Sequence, residues 1–187
     1  MKNFIKVFLI ISGFIISFNT AGFALVDEAA SCLTENLRYV NIAAWGGFGF
    51  NGNQKGNSGA DVDAYNYGIK GFYNKRIPFF QLSIGPYYQI SPISIEHVKN
   101  DRKSFGLDVE FALYSNNFEP YLRGTYSLWD KIDGCTDNFK SFGTGIGASY
   151  YIIYPIAMFC EFMYENINIR DTKITMMYIN FGLEFAI

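Results

Sequence analysis

Apolar residues and polar or small residues take turns, one by one, in eight separate stretches of the chain. Period-2 alternation is what a β-strand shows when its two faces meet different surroundings. The end of the chain is the plainest case. Ile179, Phe181, Leu183, Phe185 and Ile187 fall on one face; Tyr178, Asn180, Gly182, Glu184 and Ala186 fall on the other. The same reading predicts strands over Leu37–Phe50, Asp61–Tyr73, Phe79–Ile90, Phe105–Leu113, Glu119–Trp129, Ser141–Tyr151 and Ile156–Glu165, with an eighth ending the chain. Between them, Asn51–Ala60, Ser91–Ser104, Asp130–Lys140 and Asn166–Asp171 read as long polar loops. Asn74–Pro78, Ser115–Asn117 and Tyr154–Pro155 read as short turns. Pro86 cannot donate to a ladder, so it is expected to mark a bulge or the end of pairing in the third strand.

Eight strands of 9–11 residues, with long and short connections alternating, predict an all-β, eight-stranded antiparallel up-and-down transmembrane barrel. The parity of the charges bears on which face is inside. Lys70, Asp108, Glu110, Glu119, Arg123, Glu161, Glu165 and Glu184 all lie opposite the Leu, Ile and Phe rows. In a membrane barrel they line the lumen; on a soluble ligand-binding barrel they face water.

Two features favour the membrane reading. Aromatics on the apolar face cluster near the strand ends. Phe48, Tyr65, Tyr67, Tyr88, Phe105, Phe142 and Tyr164 lie toward the long loops, and Tyr73, Phe80, Tyr150 and Phe185 toward the short turns. The opposite face is rich in glycine, including Gly47, Gly68, Gly143, Gly145, Gly147 and Gly182. This suits a narrow lumen packed with rings and ion pairs from other strands.

The front of the chain reads differently. Lys2 and Lys6 precede the apolar run Val7–Phe18, and Gly22-Phe23-Ala24 supplies small residues for cleavage, so residues 1–24 are expected to be an export signal peptide. Residues 25–36 form an acidic, Ala-rich periplasmic lead-in, and residues 37–187 the barrel. Without the signal, thirteen basic residues stand against seventeen acidic ones, a net charge of −4. That balance argues against a nucleic-acid partner. With 19 Phe and 14 Tyr but only 17% charged residues, the composition suits a β-rich chain with rings at lipid interfaces.

Asn180, Gly182, Phe185 and Ile187 resemble the C-terminal β-signal of bacterial outer-membrane barrels, with Ile in place of the terminal Phe that many of them carry. Taken with the strand count, the loop pattern and the leader, the chain resembles the small outer-membrane barrels: the OmpA transmembrane domain, the OmpX/Ail group and the opacity proteins. The resemblance implies location in the outer membrane, contact with its lipid and lipopolysaccharide, delivery by periplasmic chaperones and insertion by the barrel-assembly machinery. It also implies a monomer whose outside loops meet host surface molecules.

Catalytic chemistry finds little support. His97 stands beside Glu96 in an expected loop and is followed by Val98 and Lys99, which departs from the close His and Ser on one strand that lipid A-deacylating barrels use. Gly143-Thr144-Gly145-Ile146-Gly147 precedes no helix and is read as strand glycine. Cys32, Cys135 and Cys160 are expected on the periplasmic side, in an outside loop and on the lipid face respectively, too far apart to pair. No catalytic residue, cofactor or metal site is expected. The functional expectation is a non-enzymatic surface or interaction protein, with a narrow solute channel as the alternative.

Overall fold

The computed structural model describes residues 40–55, 62–77, 80–95, 98–113, 117–133, 138–153, 155–169 and 172–187. The expected signal peptide, the lead-in segment, His97, Cys32 and Cys135 lie outside the described residues. Eight strands follow in order: β1 (Val40–Lys55), β2 (Val62–Ile77), β3 (Phe80–Ile95), β4 (Val98–Leu113), β5 (Phe118–Ile132), β6 (Lys140–Ile153), β7 (Ile156–Ile169) and β8 (Thr172–Ala186). Each pairs antiparallel with its neighbours in sequence, and β8 pairs with β1 to close the barrel.

The register fixes the tilt. From Val40, the row of paired residues passes through Tyr73, Ile84, Val109, Gly124, Thr144, Tyr164 and Met177. It returns to β1 at Phe50, a stagger of 50 − 40 = 10 residues. Ten residues at ~3.3 Å against eight strands at ~4.8 Å set the strands about 40° from the barrel axis.

Outward positions form one apolar belt. It runs from Tyr73, Phe111, Tyr150 and Phe185 near the end that holds Ile187, here the terminal end, to Phe48, Tyr65, Tyr67, Phe105, Tyr126 and Phe142 toward the distal end. Leu107, Leu122, Ile146, Phe181 and Leu183 lie between, all exposed. Among the described residues, the outward face between these two rings carries no charge. A closed barrel that is greasy outside and charged within is a transmembrane barrel, and a soluble ligand-binding barrel with its apolar face inward is excluded.

The strands outrun the sequence-based expectation. Asn51–Lys55 continue β1, and Asn74–Ile77 continue β2. Ser91–Ile95 and Val98–Ser104 pair residue by residue as the distal part of the β3–β4 hairpin, and are not a loop. Asp130–Ile132 belong to β5, Lys140 to β6 and Asn166–Ile169 to β7. After β3 and β7 only two residues separate the strands, as after β2 and β6, so the expected alternation of long and short connections does not hold. The asymmetry lies in the strands themselves. At this tilt about ten residues cover the ~25 Å belt, and the remaining residues project past its distal edge.

Pro86 is neither a bulge nor a strand end, but pairing with β2 lapses at Gly85 and Pro86, as a residue without a donor requires. Pro86 pairs with Leu107 of β4, and the register with β2 is the same on either side of it, Lys70↔Tyr87 and Tyr73↔Ile84. A Cβ on the adjoining Gly85 would fall 1.7 Å from the Gly71 carbonyl oxygen, so the two backbones run unusually close there.

Candidate functional site

Inward side chains fill the lumen in layers. At the terminal end Asn41, Asn74, Gln81, Ser83, Ser149 and Glu184 are buried. Asn41 donates through Nδ2 to Glu184, and Ser149 Oγ donates to the same carboxylate at 3.4 Å.

Above this lies an ion network. Lys70 Nζ is 2.5 Å from Glu110 Oε1 and 3.9 Å from Glu161 Oε2. Arg123 donates through Nε and Nη2 to Asp108 Oδ2 at 2.8 and 2.5 Å, and through Nη1 to Glu161. Tyr121 Oη and Asn180 Nδ2 complete the shell of Glu161 at 3.0 and 2.9 Å. Aromatic faces take the remaining sides of the cations. Lys70 Nζ is 4.7 Å from the Phe159 ring and 4.8 Å from Phe72, and the Arg123 guanidinium is 5.1 Å from Trp45. Paired charges with satisfied hydrogen bonds can stay ionised away from water, whereas isolated ones cannot.

Glycine makes this packing possible. Trp45 is paired with Gly68, Tyr121 with Gly147, and Phe159 with Gly182. In each case a Cβ on the glycine would come within 2.4–2.5 Å of the ring. The rings lie flat over neighbouring backbone because there is no side chain beneath them.

A second network sits nearer the distal end. Arg102 donates through Nε and Nη2 to Asp130 at 2.8 and 2.5 Å, and through Nη1 and Nη2 to Glu165 at 2.9 and 2.7 Å. It also donates to Ser141 Oγ at 2.7 Å. One fully buried guanidinium thus ties together β4, β5, β6 and β7. Farther out, the filling turns apolar: Ile93, Ile132, Phe139, Ile167, Ile174 and Met176 are buried against one another inside the barrel. A cavity between the two networks, touched by Asn66, Gln89, Thr125 and Asn180, has a volume of about 10 Å3, room for about one water.

Every lumen charge expected from the sequence (Lys70, Asp108, Glu110, Arg123, Glu161, Glu165, Glu184 and Glu119) points inward and is buried. The structure brings Lys70, Asp108, Glu110, Arg123 and Glu161 into one network, joins Glu165 to Arg102, and, among the described residues, gives Glu184 the neutral donors Asn41 and Ser149 at the terminal end. Sequence reasoning missed Arg102 and Asp130, which it left in loops. Parity was a usable signal for Arg102, which falls in step with Ser104, Asp108 and Glu110 on the inward face of β4; Asp130 shares the parity of the outward Leu122, Tyr126 and Leu128, and the bulge opposite Phe105 and Gly106 turns it inward. The expected β-signal divides between the faces. Asn180 points into the lumen and Gly182 lies under the Phe159 ring, while Phe185 and Ile187 are exposed. Cys160 is exposed as a free thiol on the outer face, as its parity required.

No protein-family model and no curated protein matches the chain. Solved structures do match. Neisserial surface protein A is 14% identical with a TM-score of 0.61; the match covers 79% of this chain and 97% of that one. The outer-membrane enzyme PagL is 12% identical with a TM-score of 0.49, over 76% of this chain and 97% of that one. Ail of Yersinia pestis, solved with the heparin analogue sucrose octasulfate, is 13% identical with a TM-score of 0.47, over 78% and 97%. At these identities the likeness is one of fold. The fold is that of the small eight-stranded outer-membrane β-barrels.

Proposed function

We propose that this protein is a non-enzymatic barrel of the bacterial outer membrane, exported through its N-terminal signal and presented at the cell surface as an interaction platform. The observation that carries this reading is the filled lumen. Two ion networks and an apolar distal cap occupy it, and the carboxylates Asp108, Glu110, Asp130, Glu161 and Glu165 are all engaged by Lys70, Arg102 or Arg123. Acids held this way suit a rigid anchor better than proton transfer or solute passage. The packed lumen therefore counts against the narrow-channel alternative.

The distal end is then the outside, and the surface it offers differs from the one the sequence suggested. Binding specificity for host molecules or neighbouring lipopolysaccharide would sit on the strand extensions beyond the belt as well as on the connections between them. Insertion by the barrel-assembly machinery, after transit with periplasmic chaperones, would read Asn180, Gly182, Phe185 and Ile187 on β8. The protein acts as a monomer in this reading.

Intact cells treated with a membrane-impermeant amine reagent test the orientation. Lys173, exposed at the distal end, should be labelled, and Lys75, exposed near the terminal end, should be protected. Labelling of Lys75 alone would reverse the orientation. Planar-bilayer recordings should be free of stepwise conductance. An open channel would remove the anchor reading.

A further inference from the structure

On three adjacent strands the outward face repeats one step: an aromatic at the edge of the belt, then a lysine two residues farther out. The pairs are Phe105 and Lys103 on β4, Trp129 and Lys131 on β5, and Phe142 and Lys140 on β6. Among the described residues, β3, β7 and β8 differ at the matching step: Tyr88 and Ile90 lead to Pro92 on β3, Tyr164 to Asn166 on β7, and Met177 to Thr175 on β8. Among the described residues, lysines at this height therefore gather on β4, β5 and β6, with Lys173 of β8 a further same-face step out.

Their arrangement is costly without a counter-ion. Lys103 and Lys131 are directly paired across β4 and β5, and like charges opposite one another repel. The carboxylate within reach is Asp133, 3.5 Å from Lys103, with more than half of its side chain exposed. Such an exposed pair is weak. Asp133 and Asp101 stand one same-face step farther out than the lysines, so the side nearest the belt is left basic. Lys140 leans toward the belt, its Nζ 5.5 Å from the ring of Tyr126.

We propose that Lys103, Lys131 and Lys140 form a docking site for the phosphate groups of a phosphorylated glycolipid in the outer leaflet, its acyl chains lying along the belt below. The inference rests on the distal end being the outer one. Height decides the occupant: cations one step beyond an aromatic ring meet a lipid headgroup at its phosphates, while the belt takes the chains. A soluble anion would gain only the first of these contacts.

The test uses the full-length barrel, folded in neutral detergent and checked by heat-modifiable gel mobility. Native mass spectrometry then measures retention of bisphosphorylated lipid A against the same lipid stripped of its phosphates. The wild type should prefer the phosphorylated lipid by about tenfold, from roughly three surface lysines acting together. The combined Lys103→Gln, Lys131→Gln and Lys140→Gln variant, whose changes are all at exterior positions, should fold normally and lose most of that preference. Lys75→Gln at the opposite rim should keep it. An unchanged preference in the triple variant, or none in the wild type, overturns the site while leaving the barrel and its orientation standing. Displacement of the lipid by excess inorganic phosphate would also overturn it, because it would mark a simple anion site. Labelling that places these lysines on the periplasmic side would overturn the orientation instead.

Discussion

Arg102 Nη2 lies 2.5 Å from Asp130 Oδ2, and both side chains are almost wholly removed from solvent. The same guanidinium holds Glu165, so its removal strands two buried carboxylates. Arg102→Met should destabilise the barrel by about 3–5 kcal/mol, the usual cost of breaking a buried pair from one side. Urea unfolding in detergent, followed by the fraction of heat-modifiable species, measures it. Replacing all three together (Arg102→Met, Asp130→Leu and Glu165→Met) should cost less than the single change, since no charge is left unpaired. A triple variant weaker than Arg102→Met would show that the network contributes more than charge balance.

The pairing of Tyr121 with Gly147 makes a steric prediction. A Cβ on Gly147 would fall 2.5 Å from Tyr121 Cζ. Gly147→Val should therefore cost about 1–3 kcal/mol through overpacking. Tyr121→Ala in the same chain should recover part of that loss in a double-mutant cycle. Strict additivity of the two changes would mean that the ring moves aside freely.

The distal cap should behave like the core of a water-soluble protein. Ile174 is 1% exposed among Ile93, Ile167 and Met176. Ile174→Ala is expected to lose about 2–4 kcal/mol of unfolding free energy. It should not open a conducting path, because the Arg102 network lies beneath it. Stepwise currents from this variant would show that the cap alone closes the lumen.

The position of the belt is testable from outside. Leu122 is 59% exposed midway along it, and Leu122→Arg should cost about 2–4 kcal/mol in a bilayer. Asn168 is exposed beyond the distal ring, and Asn168→Arg should stay within about 0.5 kcal/mol of the wild type. Equal effects at the two positions would place the membrane boundary elsewhere.

Most of the architecture was legible in the sequence, and the errors gather at the distal edge of the belt. Inside the belt the outward residues are apolar and the inward ones polar. Beyond it the phase reverses. On β3, Ile90 faces out but Ile93 faces in, and on β7, Tyr164 faces out but Ile167 faces in; on β5, Leu128 and Ile132 keep one parity, and the bulge opposite Phe105 and Gly106 turns Ile132 inward. A reading that looks for one continuous apolar phase stops where the phase slips and leaves the remainder as loop. The slip has a physical origin. Where the outer surface meets water in place of lipid, apolar residues gain by turning inward.

The sequence by itself determined the number of strands, the face each residue occupies within the belt, and the choice between lipid and water for the outer surface. These follow from a two-residue period and a local count of charged and apolar side chains. Only the tertiary structure decided the ten-residue stagger, the continuation of the hairpins past the belt, and the partners of each lumen charge. Lys70 meets Glu110 across 40 positions, and Arg102 meets Glu165 across 63. Such meetings depend on how a closed sheet is tilted, and closure is a property of all eight strands together.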